Sequence, residues 1–317
     1  MVNVKIIYES DIYFPNLGIS LDHVASGFDV FGYYVALYGA VIGFGMLCGW
    51  LMAEWMAKRT GQSTEFYLDF ALVAIVAAVI GARIYYVIFA LDEFKDRPLS
   101  VFNLRTGGLA IYGGIIAAVL AAVIFARIKK YNFWLLVDTG CVGLVTGQII
   151  GRWGNFFNRE AFGKYSNGLF AMQLNVNDVS GVFRESTPVS RLQTMYAGKP
   201  AALERILEIR DKAVMIDGAR YIQVHPTFLY ESLWNLCLLI LLVLYTKHKK
   251  FDGEIILLYV VGYGLGRVWM EGLRTDQLFL WGTPFAVSQL LSGAMVLIAG
   301  AYLIYKRVSM NGQKRRK

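Results

Sequence analysis

Cationic and carboxamide side chains gather in one short stretch near the middle of the chain. Residues 151–163 read GRWGNFFNREAFG and carry two arginines, two asparagines and a glutamate among glycines and apolar residues. Arginine forms forked hydrogen bonds to phosphate oxygens. The stretch follows a long apolar run, so these polar groups would lie at the end of a membrane-buried helix. We call residues 151–163 the signature segment.

A second group of ionisable residues has helical spacing. Tyr263, Arg267 and Glu271 stand four residues apart, so on a helix they share one face, and Arg274 continues near that side. An ion pair between Arg267 and Glu271 would neutralise two buried charges. Two leucines would avoid placing charges in lipid at all, and charged residues inside membrane helices usually mark function. These residues are therefore predicted to belong to a functional site.

The composition is that of a membrane protein. The 317 residues are 56% hydrophobic and 17% charged, with a mean hydropathy of +0.48, whereas soluble domains carry about 25% charged residues. The net charge of +8 does not indicate nucleic-acid binding, because the charges lie in short clusters between apolar runs. Cys48, Cys141 and Cys237 are too few and too scattered for a disulfide framework or a metal site. We expect no metal site and no cleavable signal peptide.

Seven apolar runs are long enough to cross a bilayer, which takes about 20 residues. They lie at 30–56, 66–91, 107–127, 133–151, 228–246, 254–272 and 285–305. Between the fourth and fifth runs, FAMQLNV and ARYIQVHP alternate as strands do, and ALERILEIRDKAV has a helical pattern. We predict an all-α polytopic membrane protein with seven transmembrane helices and a small extracytoplasmic α+β head domain between helices 4 and 5.

Lysine and arginine are unevenly shared between the connections. One set holds 14 basic residues and the other short connections hold five. The richer set comprises residues 58–65, 127–132, 247–254 and the tail from Lys306. By the positive-inside rule this set is cytoplasmic, which places the N-terminus outside and the C-terminus inside. The predicted regions are an extracytoplasmic N-terminal segment (1–29), helices 1–4 (30–151), an extracytoplasmic signature and head region (152–227), helices 5–7 (228–305) and a basic cytoplasmic tail (306–317).

This orientation puts polar groups from six helices at one depth, in the outer half of the bilayer. A pore would need polar groups along its whole length, but the cytoplasmic half is nearly bare apart from Asp138, which could cap or pair there. The pattern predicts a half-deep cavity open to the outer leaflet that binds an anionic headgroup. Glycine pairs at 107–108 and 113–114 would allow close approach of a headgroup or of another helix, and helix packing is the favoured interpretation.

The signature segment resembles that of the prolipoprotein diacylglyceryl transferase family, G-R-x-G-N-[apolar]-[apolar]-N-x-E-x-x-G, at every fixed position. Four further segments are similar to family motifs and occur in the same order. They are IGARIYYVIF (80–89), GGLAIYGG (107–114), HPTFLYE (225–231) and YGLGRVWMEGLR (263–274). The resemblance runs from about residue 30 to 285. Two features depart from the family: many members carry histidine where this chain has Tyr112, and the stretch 170–220 looks longer than the family's head region.

The resemblance implies a reaction in the bacterial cytoplasmic membrane. A diacylglyceryl group would pass from phosphatidylglycerol to the lipobox cysteine of a preprolipoprotein signal peptide, forming a thioether and releasing glycerol 1-phosphate without a metal or cofactor. Arg152 and Arg267 would hold the phosphate and stabilise its developing charge. Tyr112 would accept or relay the thiol proton with help from a nearby arginine, although an ordinary interface aromatic is the alternative at this position.

Other residues would bind substrate or support those that do. The expected substrate-binding residues are Tyr34, Arg83, Asn155, Asn158, Gly163, Tyr263 and Glu271, and Glu160, Glu231 and Arg274 would support them. For His225, which precedes Pro226 at a helix start, helix capping or interface contact is favoured over general-base catalysis.

Two rival functions use the same residues. A transporter or flippase of an anionic lipid would use the arginines without chemistry, but it would need a polar route on the cytoplasmic side. A non-catalytic lipid-binding relative would keep the fold and lose the reaction, and Tyr112 leaves that alternative open. Membrane lipids are expected partners in every case.

Overall fold

The computed structural model describes residues 4–95, 97–103, 107–275, 277, 279 and 286–315. Within these residues the strands are β1 (Val4–Tyr8), β2 (Ile12–Phe14), β3 (Ile19–Leu21), β4 (Ala25–Val30), β5 (Tyr33–Ala36), β6 (Met172–Asn175), β7 (Val214–Ile216) and β8 (Ala219–Val224). The α-helices are α1 (Leu37–Arg59), α2 (Thr64–Phe89), α3 (Ile111–Ile128), α4 (Phe133–Phe157), α5 (Val189–Met195), α6 (Pro200–Asp211), α7 (Thr227–Tyr245), α8 (Glu254–Glu271) and α9 (Val287–Arg315). The protein is mostly helical, with small sheets.

Six helices are long and apolar enough to cross a membrane. Among the described residues they are α1, α2, α3, α4, α7 and α9. The sequence predicts a seventh span at α8, which is 18 residues long and contains Glu254, Arg267 and Glu271. Three charges in so short a helix set α8 apart from the apolar spans. The polytopic membrane architecture is therefore confirmed, and the seventh span stays a prediction.

The chain forms two compact units. The first comprises residues 1–48, 144–248 and 257–317, and the second comprises 49–143 and 249–256, as far as these residues are described. The division passes through α1, α4 and α8.

In the first unit, the N-terminal strands β1–β5 belong to two antiparallel sheets. One has the order β1-β4-β5, and β5 runs directly into α1. The other has the order β3-β2-β6-β8-β7, with β6 and β8 in register from Met172↔Val224 to Asn175↔Tyr221. The strands β6 and β8 lie in the two stretches predicted to be extended, and α6 lies in the predicted helical stretch. The strands β1–β5 were not predicted; β2 and β3, of three residues each, are too short to show a clear alternation. The predicted start of the first span at residue 30 was wrong, because residues 33–36 form β5 and α1 begins at Leu37.

One apolar core joins this five-stranded sheet to the helix α6 and the signature segment. Ile12 of β2, Leu174 of β6 and Ile222 of β8 are fully buried in it, together with Ile206 of α6. Phe156 and Phe162, which flank the turn of the signature segment, belong to the same core. The signature segment is therefore anchored by apolar packing at both ends.

In the second unit, α2 and α3 pack closely through glycines. A Cβ added to Gly81 would lie 2.7 Å from the carbonyl oxygen of Gly113, and one added to Gly114 would lie 3.2 Å from that of Ala78. Small residues allow helices in lipid to approach in this way. The packing interpretation of the 113–114 pair is confirmed.

Asp138 of α4 caps the start of α8 within the second unit. Its carboxylate accepts hydrogen bonds from the backbone N–H groups of Gly253 (2.8 Å) and Ile256 (2.9 Å) and contacts Lys249 Nζ at 3.2 Å. The expectation that this carboxylate caps or pairs is confirmed.

Candidate functional site

The carboxylate of Glu231, near the start of α7, gathers three arginines in the first unit. Its Oε2 lies 2.7 Å from Arg152 Nη2 and 3.6 Å from Arg267 Nη1, and its Oε1 lies 3.9 Å from Arg274 Nη1. The arginines come from α4, from α8 and from the segment after α8. One buried carboxylate thus brings together Arg152 and Arg267, which the sequence placed at a common depth, and Arg274, which it placed near the side of Arg267. We call these residues, together with Glu271, the arginine cluster.

Arg267 also pairs within its own helix. Its Nη2 lies 2.5 Å from Glu271 Oε2, one turn further along α8. The intrahelical pair expected from the four-residue spacing is confirmed. Three arginines and two glutamates leave the arginine cluster with one excess positive charge.

The accessible side of the arginine cluster is cationic. The arginine side chains are 15–19% exposed, whereas those of Glu231 and Glu271 are 6% exposed. The carboxylates are therefore the less accessible partners in these ion pairs, and they hold the guanidinium groups in place. Guanidinium groups fixed in this way suit a phosphate that arrives from the open side.

A pocket beside Glu231 is lined from α7 and α8. Tyr263 and Arg267 face it from α8, and Asn235 and Trp234 face it from α7. Asn235 is only 2% exposed and was missed by the sequence analysis. It follows Glu231 by four residues, so the same-face rule that linked Tyr263 to Arg267 could have found it.

The signature segment runs from the last turns of α4 into a short loop, and one carboxylate of that loop orients two amides. Glu160 Oε1 accepts a hydrogen bond from Asn155 Nδ2 (3.2 Å), and Glu160 Oε2 accepts one from Asn158 Nδ2 (2.9 Å). Arg159 and Ala161 take the left-handed backbone conformation, with φ of 49° and 56°. This conformation is unfavourable for residues with a side chain. The structure thus brings together Asn155, Asn158 and Glu160, with both amides hydrogen-bonded to one carboxylate.

Gly163 lies where the signature segment passes between the segment before α7 and the segment after α8. Its N–H donates to the carbonyl oxygen of His225 (2.9 Å), and it forms an antiparallel bridge with Arg274. A Cβ at this position would lie 2.8 Å from His225 Cβ and 3.1 Å from the carbonyl oxygen of Leu273. Gly163 therefore sets the backbone that carries Arg274 toward Glu231, and no direct substrate contact is needed to explain the glycine.

His225 lies before the start of α7 with its ring against Tyr230. Its Nδ1 is 3.2 Å from the Tyr230 hydroxyl, and its carbonyl oxygen accepts a hydrogen bond from Thr227 N–H (3.0 Å). Burial lowers the pKa of His225 below its ordinary value, and the positive charge of Lys164 lowers it further. The imidazole is therefore neutral at pH 7.

Two tyrosines of the N-terminal region have different surroundings. Tyr34 is an exposed residue of β5, and its hydroxyl donates to the carbonyl oxygen of Ser26 (3.3 Å) across the β4–β5 hairpin. Tyr38, which the sequence analysis missed, lies at the start of α1 against Gly154 of the signature segment. A Cβ at Gly154 would come within 2.9 Å of the Tyr38 ring, so this glycine makes room for Tyr38.

In the second unit, Arg83 holds the loop that leads to α3. Its five N–H groups donate, at 2.7–3.1 Å, to the carbonyl oxygens of Ser100, Val101, Asn103, Gly107 and Gly108. Gly107 and Gly108 have positive φ values of 81° and 77°. All five guanidinium donors are thereby occupied, so a direct bond from Arg83 to substrate would require a loop carbonyl to be released. Tyr112 is the second residue of α3 and is 43% exposed.

Comparisons with known proteins agree with the family resemblance. The sequence profile of the prolipoprotein diacylglyceryl transferase family matches residues 26–305. The chain is 39% identical over 277 residues to a phosphatidylglycerol–prolipoprotein diacylglyceryl transferase of Listeria innocua serovar 6a, covering 87% of each chain. It is 36% identical over 295 residues to the protein of the same name from Bacillus mycoides, covering 93% of this chain and 96% of that one.

Proposed function

This chain belongs to the prolipoprotein diacylglyceryl transferase family, and on that premise we propose that it transfers a diacylglyceryl group from phosphatidylglycerol to a cysteine thiol of a prolipoprotein. This reaction is the first step of lipoprotein maturation. We infer that the acceptor is the lipobox cysteine at the end of a membrane-inserted signal peptide. The proposal is carried by one observation: the arginine side chains of the cluster are more exposed than the two buried carboxylates with which they pair.

The donor phosphate is proposed to lie against Arg152 and Arg267. In the reaction, the sulfur of the acceptor forms a bond to the terminal glyceryl carbon as the bond from that carbon to the phosphate oxygen breaks. The electron pair leaves with glycerol 1-phosphate, so negative charge builds on the phosphate. Guanidinium groups that are already fixed by Glu231 and Glu271 stabilise that charge without reorganising. Asn155, Asn158 and Tyr263 orient the glycerol headgroup in this proposal.

The thiol proton is proposed to leave through Tyr112. A free cysteine has a pKa of about 8.5, so at neutral pH the acceptor needs a base or a relay. Tyr112 begins α3 directly after the loop that Arg83 holds. Arg83 is then a residue that positions Tyr112, and its substrate-binding role is indirect.

We also propose that α8 crosses the membrane as a seventh span. Within the first unit its glycines pack against apolar neighbours: a Cβ on Gly262 would meet the Leu238 side chain of α7, and one on Gly264 would lie 2.6 Å from Val296 Cγ2 on α9. Protein on two sides shields Arg267 and Glu271 from lipid, which is how charged residues are tolerated at membrane depth. Seven spans put the N-terminus and the head region outside and the C-terminus in the cytoplasm.

A transfer assay tests the proposed function. The purified protein, in phosphatidylglycerol vesicles, is incubated with a synthetic lipobox peptide, and the peptide is then analysed by mass spectrometry. A diacylglyceryl mass gain on cysteine, with equimolar glycerol 1-phosphate, is expected. Lipid movement between leaflets without a cysteine adduct would favour a flippase, and neither activity would favour a lipid-binding relative.

A further inference from the structure

We call the five-stranded sheet and α6, which share one apolar core, the head. The N-terminal residues 9–24, which contain β2 and β3, form one edge of its sheet and contact the signature segment. We call them the N-terminal strap. Its β2 extends the head sheet through the pair Tyr13↔Gln173, and Ile12 and Phe14 are buried in the core that also holds Phe156 and Phe162. The family profile begins at residue 26, so the strap lies outside the matched region. Its packing nevertheless makes it an integral part of the head.

Arg159 connects the strap to the signature segment. Its Nη2 donates to the carbonyl oxygens of Ser10 (3.1 Å) and Val24 (2.9 Å), at the two ends of the strap. Its Nη1 donates to the carbonyl oxygen of Phe157 (3.0 Å) in the signature segment itself. The side chain is 2% exposed. Arg159 thus holds three backbone carbonyls around one buried guanidinium group.

Asp178, beyond β6, completes this connection. Its Oδ2 lies 3.4 Å from Arg159 Nε and accepts a hydrogen bond from the Ser10 N–H (3.1 Å). The Asp178 side chain is 9% exposed, so the pair lies in the interior of the head. Removing one partner of a buried ion pair leaves the other charge uncompensated, which is strongly destabilising.

The loop that Arg159 belongs to needs such support. Arg159 and Ala161 have left-handed backbone conformations, which cost about 1–3 kcal/mol each and persist only when surrounding contacts impose them. The family signature leaves the position of Arg159 open, so the transfer reaction does not itself require an arginine there. The contacts to the strap supply a reason for one in this chain. Between Asn158 and Glu160, Arg159 stands inside the constellation in which Glu160 orients two amides.

We propose that the N-terminal strap is a positioning element for the transfer reaction, with Arg159 and Asp178 as its positioning residues. Together they impose the backbone turn in which Glu160 orients Asn155 and Asn158. The kinetic test of this proposal rests on the proposed function, whereas the hydrogen-exchange test does not.

The test compares Asp178→Asn, Arg159→Met and the double variant with wild type in the full-length protein. Asp178→Asn keeps the shape and can still accept the Ser10 N–H, but it removes the charge beside Arg159. Glu208→Gln is the matched control, because Glu208 lies on α6 in an exposed pair with Lys212. Thermal melting of each variant reports whether it is folded.

The structural readout is backbone hydrogen exchange. The N–H groups of Arg159 and Glu160 donate to the carbonyl oxygens of Phe156 and Asn155, both at 3.1 Å. In both single variants we expect the exchange of these amides to rise about tenfold, with no change in Glu208→Gln. Wild-type exchange at these amides in folded Asp178→Asn would overturn the proposal.

The kinetic readout separates positioning from binding. We expect kcat to fall about tenfold in each single variant, with less than a twofold change in KM for phosphatidylglycerol. The double variant should lose less than the product of the two single effects, because the residues act as a unit. Unchanged kcat alongside raised exchange would overturn the positioning role.

If wild type transfers nothing, the proposed function fails and the exchange comparison still decides whether the strap holds the loop. If Arg159→Met does not fold, Asp178→Asn and Arg159→Lys together test the positioning role. We expect Arg159→Lys to show smaller effects on exchange and on kcat than Asp178→Asn.

Discussion

At the scale of residues, the site is organised by Glu231. Its buried carboxylate contacts three arginines, and Glu271 provides a second carboxylate for Arg267. In the proposed reaction, the value of this arrangement lies in preorganisation: the guanidinium groups are already held when the phosphate develops charge.

Replacing Glu231 with glutamine should therefore lower transfer sharply. Glu231→Gln keeps the shape but leaves three arginines without their shared carboxylate, so their geometry loosens and their mutual repulsion grows. We expect kcat to fall about a hundredfold, measured by peptide mass gain in phosphatidylglycerol vesicles. Glu208→Gln makes the same substitution at an exposed carboxylate and should keep wild-type kcat. Equal rates for the two variants would remove Glu231 from its central role.

His225 should make stability depend on pH. Burial and Lys164 lower its pKa in the folded protein, whereas the unfolded chain takes up a proton near pH 6.5. The unfolded state binds more protons below about pH 6.5, so stability falls as the pH falls from there toward the folded pKa. The drop in melting temperature between pH 7.5 and 5.5 should be smaller in His225→Gln than in wild type. The exposed His248→Gln is the control, and a drop as large in His225→Gln as in wild type would contradict this account.

Sequence spacing predicted part of this site. The Arg267–Glu271 pair follows from the helical repeat, and Arg152, Asn155 and Glu160 follow from the signature segment. The role of Glu231 was underestimated, because periodicity shows which residues share a face but not which helices face each other. Arg205 was missed for the same reason: from α6 it donates to the carbonyl oxygen of Arg274 (3.0 Å) and to Gln277 Oε1 (2.8 Å).

At the scale of elements, the site depends on how the signature segment passes between the starts and ends of helices. Gly163 pairs with His225 before α7 and with Arg274 after α8. The left-handed turn at Arg159 and Ala161 directs the chain into this passage. Neither feature could be predicted from local pattern, since both arise from contacts between distant segments.

Gly163→Ala should disturb this passage. The added Cβ would lie 2.8 Å from His225 Cβ, so the backbone must shift and Arg274 must move with it. We expect transfer to fall about tenfold and the melting temperature to drop by several degrees. Gly181→Ala is the matched control, because a Cβ there meets nothing within 4 Å. Equal activity of the two variants would show that the close approach is unimportant.

At the scale of the whole molecule, the apolar runs of the sequence predicted the polytopic helical architecture. In the described part of the chain, six apolar spans agree with the predicted runs, and the strands β6 and β8 fall in the predicted extended stretches. The N-terminal segment was predicted only as an outer region. Its strand β2 joins the five-stranded sheet by pairing Tyr13 with Gln173, and Asn16 contacts Asn167 and Gly168, so these contacts join residues more than 150 positions apart.

The proposed orientation predicts which positions a membrane-impermeant thiol reagent reaches. In a background without the three native cysteines, Ser190→Cys on the exposed face of α5 should be labelled in intact cells. Asn311→Cys near the end of α9 should be labelled only after permeabilisation. The reverse pattern would contradict seven spans with the N-terminus outside.

The central claim is that the arginine cluster serves phosphatidylglycerol-dependent transfer. The most direct measurement is the rate of diacylglyceryl mass gain on a lipobox peptide by Arg152→Ala, beside exposed Arg191→Ala as the control. The account predicts that Arg152→Ala is folded by thermal melting and transfers nothing detectable, while Arg191→Ala transfers at the wild-type rate. Wild-type transfer by Arg152→Ala would contradict it.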